Sequence, residues 1–440
     1  MTELLAPAGS LNMAATALDY GATAIYAGQP RYSLRVRNNE FGKLENLAAG
    51  IERVHERGGR FYVVSNISPH NAKLKTYLAD MAPVVALKPD ALIMADPGLM
   101  LMVREAWPEM PIHLSVQANT VNYAAVRFWQ SLGVARVILS RELSLDEIAE
   151  IRQECPDIEL EVFVHGALCV AYSGRCLLSG YFNHRDPNQG SCTNSCRWQY
   201  DVKPAAANPA GDVFLLEEAT RPGQLMPIEE DEHGSYILNS KDLRAIEYVE
   251  RLVAIGIDSL KIEGRTKSAY YVARSCQAYR RAIDDAVAGR PFDASLVADL
   301  DSLANRGYTA GFYDRHPDRE YQNYLSGLSL MGSQLYVGDV IAYRPDGLAE
   351  IEVKNRFAVG DTLELIHPAG NRTLRVERME KVGADGTASA VTTAPGSGHR
   401  VLIPLPPGKQ GAFLARLSKQ TVNAACSLTP GNPLGAANEP

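Results

Sequence analysis

Four cysteines, Cys169, Cys176, Cys192 and Cys196, lie between His165 and Trp198 and make up four of the seven in a chain of 440 residues. Thiolates at this density either oxidise in pairs or hold a soft metal centre, because iron-sulfur clusters and structural zinc both usually take four ligands. The spacing is C-x6-C-x15-C-x3-C. Zinc ribbons and fingers favour tight pairs at both ends, and only Cys192 with Cys196 follows that habit. The open pair, Cys169 and Cys176, suits a cluster, which accepts ligands from separate loops. Spacing alone leaves iron-sulfur, structural zinc and reactive thiols open. His165 and Cys169, four apart, could form a base and a nucleophile if both lay on one helical face. Neither HExxH nor GxSxG is present, so no complete protease constellation accompanies that pair.

The rest of the composition bounds where such chemistry could operate. A hydrophobic fraction of 46% and a charged fraction of 22% are those of an ordinary globular protein with length for two domains. The start, MTELLAPAGSLNM, carries an acid at Glu3 and lacks a basic n-region, so it does not read as a signal peptide. No apolar run approaches the roughly 20 residues of a membrane helix, and no membrane partner is expected. A cytoplasmic location follows, where clustered cysteines more often bind metal or react than crosslink. The net charge of −7 argues against indiscriminate attraction to nucleic acid but leaves room for a basic groove. Local basic groups are Arg31, Arg35 and Arg37, Lys73 and Lys75, and Arg175, Arg185 and Arg197.

The elements that must position the cysteines are legible as alternation. ELLAPAG, ATAIYAG, RFYVVSNI, ALIMADPG, IHLSVQAN, RVILSREL and IELEVFVHG are seven strand candidates separated by helical stretches, and DSLKIEGR at 258–265 is an eighth. Strands so separated pair in parallel through right-handed crossovers. Eight of them predict an α/β fold, a (β/α)8 TIM-like barrel. No GxGxxG follows the first strand, which argues against a dinucleotide-binding Rossmann unit. The runs end in small or polar residues, and strand C-termini are where such barrels place their active sites. Asn66, His165 and Glu263 are the candidate catalytic residues among them.

The barrel domain is expected over 1–330, with an insertion at about 170–235 that holds the cysteine cluster, a Pro- and Ala-rich spacer and an acidic turn. From 331 to 415 the pattern shifts to period two in six short runs, which predicts a small C-terminal antiparallel β-barrel. Residues 416–440 are expected to be a disordered tail. The stretch 306–324 interleaves Arg306, Arg315 and Arg319 with Tyr308, Phe312, Tyr313, Tyr321 and Tyr324. That mixture suits single-stranded RNA, though an apolar joint between domains is the reading favoured. Val272, Cys276, Tyr279, Ile283 and Val287 recur at helical spacing, so Cys276 is read as core. Cys155 and Cys426 are read as incidental.

The run Glu161, Phe163, Gly166, Ala167, Leu168, Cys169, Gly174, Cys176, Leu178, Ser179 matches the signature E-x-F-x-x-G-A-L-C-x4-G-x-C-x-L-S. The chain thereby resembles the collagenase-like peptidase family, number thirty-two among peptidases of unknown catalytic type. YAGQPRYSLRVRNNEF, SPHNAKLKT, RDPNQGSCTNSCRW, NSKDLRAI and SLKIEGRTKS further resemble its tRNA-hydroxylation branch. The resemblance covers about residues 3 to 415. It implies oxygen-independent hydroxylation through a 4Fe-4S cluster, with Cys169, Cys176, Cys192 and Cys196 as ligands. For that branch it implies a prephenate-dependent conversion of the wobble uridine, in the anticodon region of tRNA, to 5-hydroxyuridine.

Prephenate is a small dicarboxylate, and arginine grips a carboxylate through two parallel hydrogen bonds. Arg31, Arg35 and Arg37, in the loop after the second strand, and Arg265, after the eighth, are therefore the candidate substrate anchors. The alternatives are a metal-dependent peptidase and an RNA-binding accessory protein with a structural cluster.

Overall fold

The computed structural model describes residues 2–28, 31–33, 39–167, 241–305, 307–314, 334–383, 386–406 and 411–417, and, as backbone alone, the strands between 171 and 237. Two compact units emerge, one of Met1–Leu300 with Ala304–Leu330 and the other of Asp301–Leu303 with Met331–Pro440.

The first unit is a closed parallel barrel. Its strands are β1 (Glu3–Pro7), β2 (Ala24–Gly28), β3 (Arg60–Ser65), β4 (Ala91–Met94), β5 (Ile112–Leu114), β6 (Arg136–Ile138) and β7 (Glu159–Ala167). The short β8 (Ala171–Tyr172) and β9 (Arg175–Cys176) follow, then β10 (Tyr200–Pro204), β11 (Phe214–Glu218), β12 (Leu225–Asp231), β13 (Gly234–Ile237), β14 (Asp242–Arg244) and β15 (Ser259–Ile262). Strands β1 to β7 pair in sequence order, and β15 closes the ring by pairing in parallel with both β1 and β7. The eight predicted barrel strands are therefore the eight observed.

Between successive barrel strands run α1 (Leu11–Asp19), α2 (Leu44–Glu56), α3 (Asn71–Ala86), α4 (Pro97–Ala106), α5 (Tyr123–Ser131) and α6 (Leu145–Glu154). The helices α7 (Val249–Ile255) and α8 (Ala269–Val287) flank β15. Ser10, Asp96, Asn122, Ser144 and Ser268 each accept a backbone N–H of the following first turn, so small polar residues set where these helices begin. In α8, Val272, Cys276, Tyr279 and Ile283 are fully buried as their spacing predicts, while Val287 is exposed at the helix end. Burial raises the Cys276 thiol, which marks it as a core residue.

Two departures from the sequence reading concern the insertion. Around the stretches read as spacer and acidic turn runs an unanticipated four-stranded antiparallel sheet, β10 to β13 in sequence order, while most of the spacer, 205–212, lies outside the described residues. The unanticipated β14 then runs antiparallel to the end of β7, with Asp242 opposite Ala167 and Arg244 opposite His165. The chain thus returns from the insertion along the strand it left by. A two-residue strand, β16 (Tyr308–Thr309), extends β14. Tyr308 and Tyr313 from the stretch expected to meet RNA or a second domain pack within the barrel unit. Tyr308 lies on the His165 ring, and Tyr313 is buried with its hydroxyl donating to the Phe163 carbonyl at 2.5 Å.

The second unit is antiparallel β. Eight strands between Gln334 and Leu417 form one sheet, and the pair Phe357–Ala358 with Thr393–Ala394 forms a second. Val337, Ile351, Phe357, Leu363, Val401 and Leu414 share its core. The expected tail, 416–440, lies beyond the described residues from 418 onward.

Candidate functional site

Side chains alternate along a strand, so residues 159, 161 and 163 of β7 and 259 and 261 of β15 share the face that looks into the barrel. That lumen is charged. Arg136, 1% exposed, donates to Glu3 and to Glu161 at 3.1 Å, and reaches Glu159 at the rim. Lys261 pairs with Glu161 at 2.8 Å and lies over the Tyr26 ring. Tyr62 and Ser259 donate to Glu3. Burial by itself would raise the Glu3 carboxyl, but Arg136 and these hydrogen bonds hold it below the ordinary carboxylate value. His113, stacked edge-on against Tyr62, is kept neutral by burial and by Arg136, Lys261 and Arg60. None of these charges was singled out as functional from sequence. Their signal is a charge at an inward position of an otherwise apolar strand.

Above this network, at the C-terminal ends of the strands, lies the mouth. Phe163 forms its floor, with the Arg141 guanidinium 3.8 Å from the ring centroid. Glu263, 7% exposed, faces Arg141 at 3.6 Å. Arg265, also 7% exposed, donates to Ser33 Oγ at 3.1 Å. A side chain at Gly28 would overlap that guanidinium, so glycine ends β2 where Arg265 crosses it. On the opposite wall Asn66, half-buried, donates to Ser115 Oγ at 3.3 Å, and Ser140 donates to Asn119, whose backbone is left-handed. Glu263, Asn66 and Arg265 thus occupy the ends of the strands assigned to them.

His165 does not line this mouth. Lys261 pairs with Phe163, but the next residue, Ile262, pairs with His165, so Val164 is an extra residue in β7. Such a bulge turns everything after it to the other face. His165 therefore points outward beneath α8, between the rings of Tyr271, Tyr279 and Tyr308, with centroids 5.6, 5.4 and 5.5 Å away. Burial, aided by Arg244 and Lys267, pushes its pKa down to about 3. A neutral, enclosed imidazole is poorly suited to general acid–base work in the lumen. The fold thus does not bring His165, expected to be catalytic, to the lumen with Glu263 and Asn66.

Arg31 is half-exposed and paired with Asp80 at 2.6 Å; Asp80 also accepts from the Tyr32 hydroxyl. This engages Arg31 with α3. Arg35 and Arg37 lie outside the described residues, as do Cys169, Cys192 and Cys196. Cys176 is described through its backbone alone, in β9 opposite Ala171 of β8. The segment leaves the barrel at the end of β7, on the same rim as Glu263 and Arg265. Among the described residues no group of three or more His, Cys, Asp and Glu side chains could hold a metal ion, and no helix is long and apolar enough to cross a membrane.

Comparison with known proteins places the chain. Residues 9–323 match "Peptidase family U32" and residues 333–416 match "Peptidase family U32 C-terminal domain". It is 57% identical over 429 residues to tRNA hydroxylation protein P of Escherichia coli K12, covering 92% of this chain and 94% of that protein. The Haemophilus influenzae protein of the same name is 54% identical, covering 92% and 93%. A protein named Collagenase from Porphyromonas gingivalis is 27% identical, covering 92% and 94%. Among solved structures, the U32 peptidase Mk0906 aligns over 61% of this chain and 94% of its own at 17% identity, with a TM-score of 0.36. With both matches together spanning nearly the whole chain, it belongs to peptidase family U32.

Proposed function

We propose that the protein hydroxylates tRNA, converting the wobble uridine to 5-hydroxyuridine in a prephenate-dependent, oxygen-independent reaction. The observation that carries this reading is the 57% identity, over nine-tenths of both chains, to a protein named for tRNA hydroxylation. In this reading Cys169, Cys176, Cys192 and Cys196 hold a 4Fe-4S cluster at the rim of the barrel, where it supplies redox chemistry. The polar groups that stand at the ends of several strands give such a reaction a site at the mouth. Glu263 and Asn66 contribute polar contacts there, and the anticodon region of tRNA brings the uridine to it. Arg265 and the loop after β2 form the anchor for the dicarboxylate.

A peptidase reading has one point in its favour, the 27% identity to a protein named Collagenase. Against it stands the outward, neutral His165, which is not available to a nucleophile in the lumen. The deciding measurement is nucleoside mass spectrometry of tRNA from a deletion strain grown without oxygen, with and without the gene restored. Loss of 5-hydroxyuridine and its derivatives, restored by the gene, is the expected result. Unchanged nucleosides together with metal-dependent cleavage of a peptide panel would favour the peptidase.

A further inference from the structure

Among the described residues of the mouth, Arg141 is a cation whose donors are largely unused. Arg141 follows β6 directly, after Leu139 and Ser140, and its side chain is 13% exposed. Its guanidinium lies over Phe163 at 3.8 Å from the centroid, a stack that fixes the plane of the fork. Guanidinium carries five N–H donors. Only one polar partner approaches among the described residues, Glu263 at 3.6 Å, too far for a hydrogen bond. Nε of Arg141 is buried with no hydrogen-bond partner among the described residues. A buried charged donor left unmade is costly, and a bound water or ligand oxygen at Nε would remove that cost.

The neighbourhood supports a ligand. Thr120, 1% exposed, has its own Oγ1 unpartnered among the described residues, and its carbonyl accepts from the N–H of Ser140 beside Arg141. Deeper in the lumen Lys261 and Arg136 are already paired with Glu161 and Glu3, which leaves Arg141 as a cation of the mouth held to its nearest described acid, Glu263, at only 3.6 Å. From these observations we infer that Arg141 is a substrate-binding residue that grips the carboxylate of a small molecule lying on the lumen side of the mouth. The inference rests on the reading that this mouth is the site of the hydroxylation reaction.

A small carboxylate is favoured over a phosphate of the RNA backbone by depth. The Arg141 side chain is 13% exposed and its guanidinium is stacked on Phe163, so little of it is presented to a polymer passing over the rim. The fork-to-fork geometry also explains an arginine here, because lysine offers a point charge without two parallel donors.

The test is calorimetric titration of anaerobically purified full-length protein with prephenate, comparing wild type with Arg141→Lys and Arg141→Met. Filter binding of tRNA and thermal unfolding are measured on the same samples. Arg141→Lys keeps the charge over Phe163, so it is expected to fold as wild type and to weaken prephenate by about tenfold to a hundredfold, with tRNA affinity unchanged. Arg141→Met is expected to weaken it at least as much. Equal prephenate affinity in wild type and Arg141→Lys overturns the assignment of Arg141 and leaves the hydroxylase reading intact. So does a loss confined to tRNA binding, which would make the partner a phosphate. If wild type does not bind prephenate the carboxylate inference fails, while the nucleoside measurement separately decides whether the protein hydroxylates tRNA.

Discussion

Ile262 pairs with His165 although its neighbour Lys261 pairs with Phe163, and this one-residue slip removes an imidazole from the lumen and buries it under α8. The tyrosines there fix its chemistry. Tyr279 accepts the N–H of Ala245 and donates to the Val164 carbonyl, so the remaining role of its oxygen toward His165 Nδ1, 3.5 Å away, is to accept. The Nδ1–H tautomer follows, and Nε2 is buried without a partner among the described residues.

Stability should depend on pH through this ring. Its folded pKa of about 3 lies below the ordinary value of 6.5, so the unfolded chain takes up a proton that the folded chain refuses. The contribution is complete above 6.5 and is lost as pH falls toward 3, at about 1.4 kcal/mol per pH unit. Urea unfolding of wild type and His165→Phe at pH 7 and pH 5 checks it. The variant should lose less stability between the two conditions, and parallel losses in both would exclude His165 as the source.

Gly166 follows the bulge with φ +102, and a Cβ there would run into the Glu263 carbonyl oxygen. Left-handed geometry alone costs a non-glycine residue about 1–2 kcal/mol, and the overlap with backbone adds to it. Gly166→Ala should therefore destabilise the barrel by about 2 kcal/mol or more in a urea melt. Gly256→Ala is the comparison, because it has φ +88 with open space around it and carries the backbone term alone.

The charged lumen predicts a larger effect. Arg136→Met leaves Glu3 and Glu161 buried against Lys261 and the exposed Arg60, 3.7 Å from Glu3, and breaking a buried pair in this way costs about 3–5 kcal/mol. The acid limb should change as well. Because Glu3 is held below its ordinary 4.5, its contribution is present above that value and disappears as pH falls through the folded pKa. Removing Arg136 removes the main force lowering it, so denaturation curves of Arg136→Met should be less steep in pH below 4.5 than those of wild type.

The barrel was legible in the sequence because each strand is a short apolar run with helix-length separation, and the mouth because Asn66, Glu263 and Arg265 stand where such runs end. What decides whether an end residue faces the lumen is pairing with a distant strand. The bulge at Val164 exists only relative to β15, about a hundred residues later, so His165 looked equivalent to Glu263. Composition was also incomplete in the insertion. KPAAANPAGD reads as a spacer by its Pro and Ala content, and the pairing of the strands that flank it, β10 ending at Pro204 and β11 starting at Phe214, is not visible in that content. The inward charges Glu3, Arg136, Glu161 and Lys261 were visible only as isolated polar residues, because no local pattern tells that they converge inside a closed ring.

The cysteines give a prediction in which location decides the result. Cys169, Cys176, Cys192 and Cys196 follow the end of β7 in one insertion, whereas Cys276 is enclosed in α8 with its thiol raised by burial and Cys155 is buried near Tyr123. A thiol that cannot ionise is a poor ligand, since metal sites take thiolates. Anaerobically purified protein should therefore be brown and contain iron and sulfide in near-equal amounts. Cys169→Ala or Cys176→Ala should abolish the colour, and Cys276→Ala should keep it. Iron and sulfide assays with the visible absorption spectrum check all three variants. A colourless wild type carrying stoichiometric zinc would instead make the insertion a structural zinc site, and the hydroxylation chemistry would then need another redox centre.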